Sequence, residues 1–158
     1  MWFKRTPLPP SPAFEVGLGT PLERLRRWFD QEAIPIAPAT AAQLAELERR
    51  CDVTLPDSFR AYLNALAPAE ENWDAEMGNW WPIERIRTVP QEVEWGEAAH
   101  AQYLVFADYS IWCWAWAIAC TDDANRGRII IVGGGERFIA DSFDEFVDKY
   151  LTDNGSVC

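Results

Sequence analysis

The run Ile111-Trp112-Cys113-Trp114-Ala115-Trp116-Ala117-Ile118-Ala119 alternates side-chain size without a break. A strand sends successive side chains to opposite faces, so this period predicts a β-strand. Trp112, Trp114, Trp116 and Ile118 share one face; Ile111, Cys113, Ala115, Ala117 and Ala119 share the other. Neither face is polar, which predicts a central strand covered on both sides. The small face suits close packing by a helix, and the Trp face suits a broad space filled by rings. Three large rings on one strand are read as core. Were that face open, it would form a groove for a peptide or a small apolar ligand.

The neighbouring segments supply the sheet and its cover. Tyr103-Leu104-Val105-Phe106-Ala107 reads as a buried strand, and Arg128-Ile129-Ile130-Ile131-Val132 as the β-branched partner beyond the turn at Thr121–Gly127. Gly133-Gly134-Gly135 turns the chain into a short strand, Arg137–Ala140, and Trp80, Trp81 and Ile83 mark another short strand near Pro82. Helices precede and follow these strands. Thr20-Pro21 caps one carrying Leu22, Leu25, Trp28 and Phe29. Thr40, with Gln43 at the capping-box position, opens a second through about Arg50. Pro56-Asp57-Ser58 opens a third with Phe59, Tyr62, Leu63 and Leu66, and Asp141-Ser142 caps a last one with Phe143, Phe146, Val147 and Tyr150. Helices, then strands, then a helix predict an α+β fold with a largely antiparallel sheet and helices packed against it.

Five prolines among residues 1–21 make that stretch an arm rather than a packed element. Residues 22–37 read as an additional helix and linker, and 38–158 as the main domain. No stretch approaches the roughly 20 apolar residues of a membrane helix. The N-terminus has basic residues with no apolar segment behind them, so no secretory signal is expected and the chain is assigned to the cytoplasm.

Catalytic groupings are scarce. His100 is the single histidine, which leaves no His-based diad or multi-His metal site, and its polar context predicts solvent exposure. The four cysteines lack C-x-x-C spacing and read as free thiols. Asp122-Asp123, ahead of Ala-Asn-Arg-Gly, reads as a turn. The three glycines at 133–135 lack the Lys-Ser/Thr and the helix of a phosphate loop. No enzyme, cofactor or metal is expected. The formal charge of −11 and pI near 4.5 disfavour nucleic acid, whose binding needs a basic face.

Five segments together resemble one family. Leu55-Pro56-Asp57-Ser58-Phe59-Arg60-Ala61-Tyr62-Leu63 is similar to the L-P-x-x-[FY]-x-x-[FY]-L segment of SMI1/KNR4 (SUKH) proteins. Trp81–Ile86 resembles the aromatic strand and short helix that follow it there, Phe106-Ala107-Asp108 a strand end, the run from Trp112 an aromatic strand, and Ser142-Phe143-Asp144-Glu145-Phe146 the closing helix. Their order and spacing, over about residues 38–152, carry the resemblance. It departs at Asn64-Ala65-Leu66-Ala67-Pro68, where members often carry an Asn-Gly-Gly turn, so the loop from Pro68 to Gly78 is expected to be reshaped. The resemblance implies a protein-binding scaffold. In bacteria it implies an immunity-type protein that neutralises a toxin, such as a nuclease or deaminase; the alternative is an intracellular regulatory or adaptor domain without a toxin target.

The residues themselves point to a recognition surface. Glu70, Glu71, Asp74 and Glu76 crowd one loop around Trp73, and Glu92, Glu94 and Glu97 crowd another around Trp95. Arg85 and Arg87 alone oppose them between residues 68 and 100. Carboxylates beside exposed aromatics suit a basic protein partner, since charge speeds encounter and a Trp supplies buried area. The competing reading folds Trp73 and Trp95 back as lids on the core, with the acids as a solvated rim.

Overall fold

The computed structural model describes residues 17–158. Most of the expected Pro-rich arm, residues 1–16, lies outside the described part. Helix α1 (Pro21–Gln31) starts where Thr20 accepts from the Glu23 backbone N–H while Glu23 reaches back to the Thr20 N–H. The same reciprocal cap sets α2 (Ala41–Cys51) through Thr40 and Gln43. Helix α3 (Asp57–Leu66) follows Pro56, and α5 (Phe143–Thr152) follows Ser142, whose hydroxyl accepts from the Glu145 N–H. Between them lies a one-turn helix, α4 (Val89–Glu92), capped by Thr88.

Among the described residues seven strands form one antiparallel sheet. They are β1 (Asn72–Trp73), β2 (Gly78–Trp80), β3 (Arg87–Thr88), β4 (Tyr103–Tyr109), β5 (Trp114–Ala119), β6 (Ile129–Val132) and β7 (Arg137–Ala140). The order runs β1-β2-β4-β5-β6-β7. β3 pairs with Leu104 and Val105 on the β4 edge that β2 occupies further along, at Ala107–Tyr109. The α+β class is as the element order predicts. Strands β1 and β3 are two residues long, too short for any period to announce.

The run from Ile111 to Ala119 divides in two. Trp114–Ala119 is the central strand, with β4 and β6 on its edges. Ile111, Trp112 and Cys113 belong to the turn before it, where Ser110, Ile111 and Trp112 all take positive φ (46°, 56° and 61°). The expected cover is also exchanged between the faces. It is the Trp face that receives the helices: Trp116 is buried, with its ring 5.4 Å from Phe146 and 5.8 Å from Tyr150 of α5. The rings need the depth that a helix layer provides. Ala115, Ala117 and Ala119 face the thinner side, where α4 packs against β4 and the 3-10 turn Ala98–His100.

The helix-side core is aromatic. Phe59 and Tyr62 of α3, Phe106 of β4, and Phe143 and Phe146 of α5 stack edge-on or tilted with centroids 4.5–6.2 Å apart. Such pairs add about 0.5–1.5 kcal/mol each beyond burial. Helix α1 is part of this core: Leu25, Trp28 and Phe29 are buried, Phe29 meets Trp80, and Arg24 pairs with Asp148 of α5. Among the described residues no helix is long and apolar enough to cross a membrane.

Candidate functional site

The acidic residues singled out from the sequence separate into three environments. Asp74 turns inward and is 5% exposed. Its Oδ2 accepts from Trp28 Nε1 (2.9 Å), Trp80 Nε1 (2.9 Å) and the Tyr150 hydroxyl (2.6 Å). Its Oδ1 accepts from the backbone N–H of Glu76 and Gly78, both at 3.0 Å. Gly78 is required here, because a Cβ at that position would lie 2.0 Å from the Tyr150 oxygen. Burial, then the Asp74 carboxylate, holds the Tyr150 hydroxyl well above the usual tyrosine range. Asp74 is thus a structural acceptor. The expectation that it faces a partner is corrected: a carboxylate this enclosed leaves no surface to offer.

Glu71 and Glu92 occupy a charged network on the thinner face of the sheet. Glu71 Oε1 accepts from Asn79 Nδ2 and lies 3.2 Å from Arg85 Nε. Glu92 lies 3.3 Å from both Arg85 and Arg87 and accepts from Trp112 Nε1 at 3.0 Å. The Arg85 guanidinium sits 3.9 Å over the Trp81 ring. Beneath it Asp108, 2% exposed, accepts from Trp81 Nε1 (2.7 Å), Asn79 Nδ2 (2.8 Å) and the Trp112 N–H (3.0 Å). Two of the acids expected to meet a partner are therefore already balanced by the protein's own arginines.

The remaining candidates point outward. Glu70, Glu76, Glu94 and Glu97 are exposed, as are Trp73 (42%) and Trp95 (57%). Trp95 packs edge-on against Trp112, centroids 6.3 Å apart, and leaves its other surface to solvent. Neither tryptophan closes over the core as a lid.

Sequence reasoning missed the apolar residues between them. Ile111 is 83% exposed and Met77 44% exposed. The Ser110 N–H donates to the Met77 carbonyl at 3.0 Å, which sets the β1–β2 turn beside the β4–β5 turn. The β4–β5 turn is tied on every side: Cys113 N to the Tyr109 carbonyl, Trp112 N to Asp108, the Trp112 indole to Glu92. A β-branched residue in the left-handed region is a backbone outlier. The one signal in the sequence was Asp108-Tyr109-Ser110, polar residues that interrupt the apolar pattern just before the run. Cys113 is exposed in the same turn, whereas Cys51 and Cys120 are buried.

The strand tryptophans form no ligand groove. Trp116 donates to the Val157 carbonyl and is buried, while Trp114 stacks on Tyr109 at 4.1 Å. A cleft of about 530 Å³ elsewhere is lined by Glu48, Asp52, Gln102, Cys120, Asp122 and Arg126, and contains no tryptophan. Arg126 spends its donors on the carbonyls of Thr54 and Leu55, and burial pushes the Cys120 thiol up to about 12. That combination anchors a loop and leaves no nucleophile. Asp123 accepts from Thr121 Oγ1 and the Asn125 N–H, the local bonding of a turn.

A family model describing the SMI1 / KNR4 family (SUKH-1) matches residues 38–149. The chain belongs to the SMI1/KNR4 family. No curated protein matches it. The family match begins after α1, yet α1 is packed into the same aromatic core as the SMI1/KNR4 elements that follow. The segment Pro68–Gly78 contains β1 and the turn that carries Asp74.

Proposed function

We propose that this SMI1/KNR4 chain is an immunity-type protein that binds and neutralises a cognate bacterial toxin by surface contact rather than by catalysis. The supporting observation is the turn-bearing end of the sheet, where exposed apolar residues and unbalanced carboxylates coincide. Ile111, Met77, Trp73 and Trp95 supply apolar area there. Glu76 lies in the β1–β2 turn beside Met77 and Glu94 adjoins Trp95, both exposed, while Glu70 is exposed just before β1. A protein rarely holds an isoleucine both strained and in water unless something else covers it. The carboxylates favour a basic partner, such as a toxin domain whose own target is nucleic acid.

The test is binding to the protein encoded immediately upstream of this chain's gene, by co-purification and then stopped-flow association. Lysine replacement at Glu70, Glu76 and Glu94 together is expected to slow association and flatten its salt dependence. Unchanged affinity in that variant removes these residues from the interface. An upstream product that is no toxin and does not bind favours the regulatory or adaptor role.

A further inference from the structure

The only histidine of the chain is not the exposed residue its polar context predicts. The turn Ala98–His100 is a 3-10 helix, closed by the His100 N–H donating to the Glu97 carbonyl at 2.9 Å. At three residues per turn, positions three apart eclipse one another, so Glu97 and His100 project from the same side. The His100 ring then packs on Tyr103, centroids 4.8 Å apart, and its side chain is 12% exposed. Nδ1 is closed to solvent and, among the described residues, has no hydrogen-bond partner.

Glu136 meets it from the turn between β6 and β7. That turn depends on Gly133, Gly134 and Gly135, all at positive φ. Glu136 Oε2 lies 3.7 Å from His100 Nδ1. A direct hydrogen bond would bring the pair to about 2.8 Å. Two ligands on one tetrahedral ion, with bonds of about 2.0–2.2 Å, stand about 3.3–3.6 Å apart. The observed 3.7 Å is well beyond the first and about 0.1 Å beyond the second arrangement. One donor atom each from Glu97, His100 and Glu136 lies within 4.8 Å of the other two. Rotation of the exposed Glu97 side chain closes the remaining gap.

We infer that Glu97, His100 and Glu136 form a binding site for a divalent transition-metal ion of the Zn²⁺ type. One imidazole with two carboxylates is a borderline donor set, which favours such an ion over Ca²⁺ or Mg²⁺, whose ligands are oxygens. Water completes the coordination. The bound ion joins the loop that carries Glu94 and Trp95 to the β6–β7 turn of the sheet, a structural clamp independent of what the neighbouring surface binds.

The test uses the full chain, freed of any polyhistidine tag, titrated with Zn²⁺ by calorimetry and thermal unfolding. One saturable site per chain is expected, with an unfolding midpoint that rises with Zn²⁺ and not with Mg²⁺. His100→Ala and Glu136→Gln should each weaken Zn²⁺ binding at least about tenfold. Glu136 is on the surface, so its variant keeps the fold if His100→Ala does not. Co²⁺ substitution reads the donors: a spectrum without a thiolate charge-transfer band, unchanged by Cys113→Ser, supports the site. Absence of saturable Zn²⁺ uptake, unaltered affinity in Glu136→Gln, or a thiolate band overturns it.

Discussion

Asp74 and Asp108 are both buried, and both accept from a tryptophan indole, but they sit on opposite faces of one sheet in unlike company. On the helix side Asp74 collects neutral donors from α1, β2 and α5 and, among the described residues, forms no ion pair. On the thinner side Asp108 is the floor of a charged lattice that passes through Asn79 to Glu71, Arg85 and Glu92. The first arrangement locks three distant segments around a single group. The second can trade partners, since Asn79 already divides its amide between two carboxylates. One face is built for rigidity and the other for rearrangement next to the exposed surface.

The sharpest way to break this contrast is Asp74→Ala. It removes the acceptor shared by the Trp28 and Trp80 indoles and the buried Tyr150 hydroxyl, and should lower unfolding free energy by about 3–5 kcal/mol. Urea denaturation followed by tryptophan fluorescence measures it. Asp108→Ala should lose less, about 1.5–3 kcal/mol, because Asn79 can turn to Glu71 and water can reach the network. If the two losses are equal, the faces do not differ in this way.

Alkali should separate them too. The folded state raises the Tyr150 hydroxyl above its unfolded value of about 10, and burial raises Tyr62 likewise. A raised folded value means stability fully present below pH about 10 and lost as pH climbs beyond it. Tyr150→Phe should flatten that loss over the alkaline range. An unaltered pH profile would remove Tyr150 as a contributor.

The tip beside Asp108 should respond in the opposite sense. Ile111→Gly relieves a left-handed β-branched residue and should stabilise the isolated protein by up to about 1 kcal/mol, while weakening the proposed partner contact. A variant that is both less stable and still binds would make Ile111 an ordinary structural residue. Smallest of all, Glu70→Lys and Glu94→Lys should alter stability by no more than about 0.5 kcal/mol. A larger change would mean those side chains hold the fold together.

What could be read in advance follows the range of the interactions. The capping residues Thr20, Thr40 and Ser142 act over three positions, and each helix starts where its cap requires. The central strand was legible because the run from Trp114 keeps its period. The same period misled at Ile111–Cys113, where large and small residues still alternate but the Asp108 carboxylate captures the Trp112 N–H and bends the chain. Asp74 looked like its acidic neighbours because two of its five donors, Trp28 and Tyr150, lie 46 residues before it and 76 after it. For Glu71 and Glu92 the opposing arginines were visible, but their placement between the two acids depends on the sheet. Ile111 and Met77 carry no polar signal at all, and only the pairing of two turns makes them neighbours.

Cys113 gives this surface a chemical handle. It is exposed within the strained turn, one position from Trp112, whereas Cys51 and Cys120 are shielded and burial raises both thiols. A small alkylating reagent at neutral pH should therefore modify the turn ahead of those two sites. Protection from that reagent reports occupancy of the tip without any substitution, and a bulky adduct there acts as a plug whose effect on binding can be graded by its size.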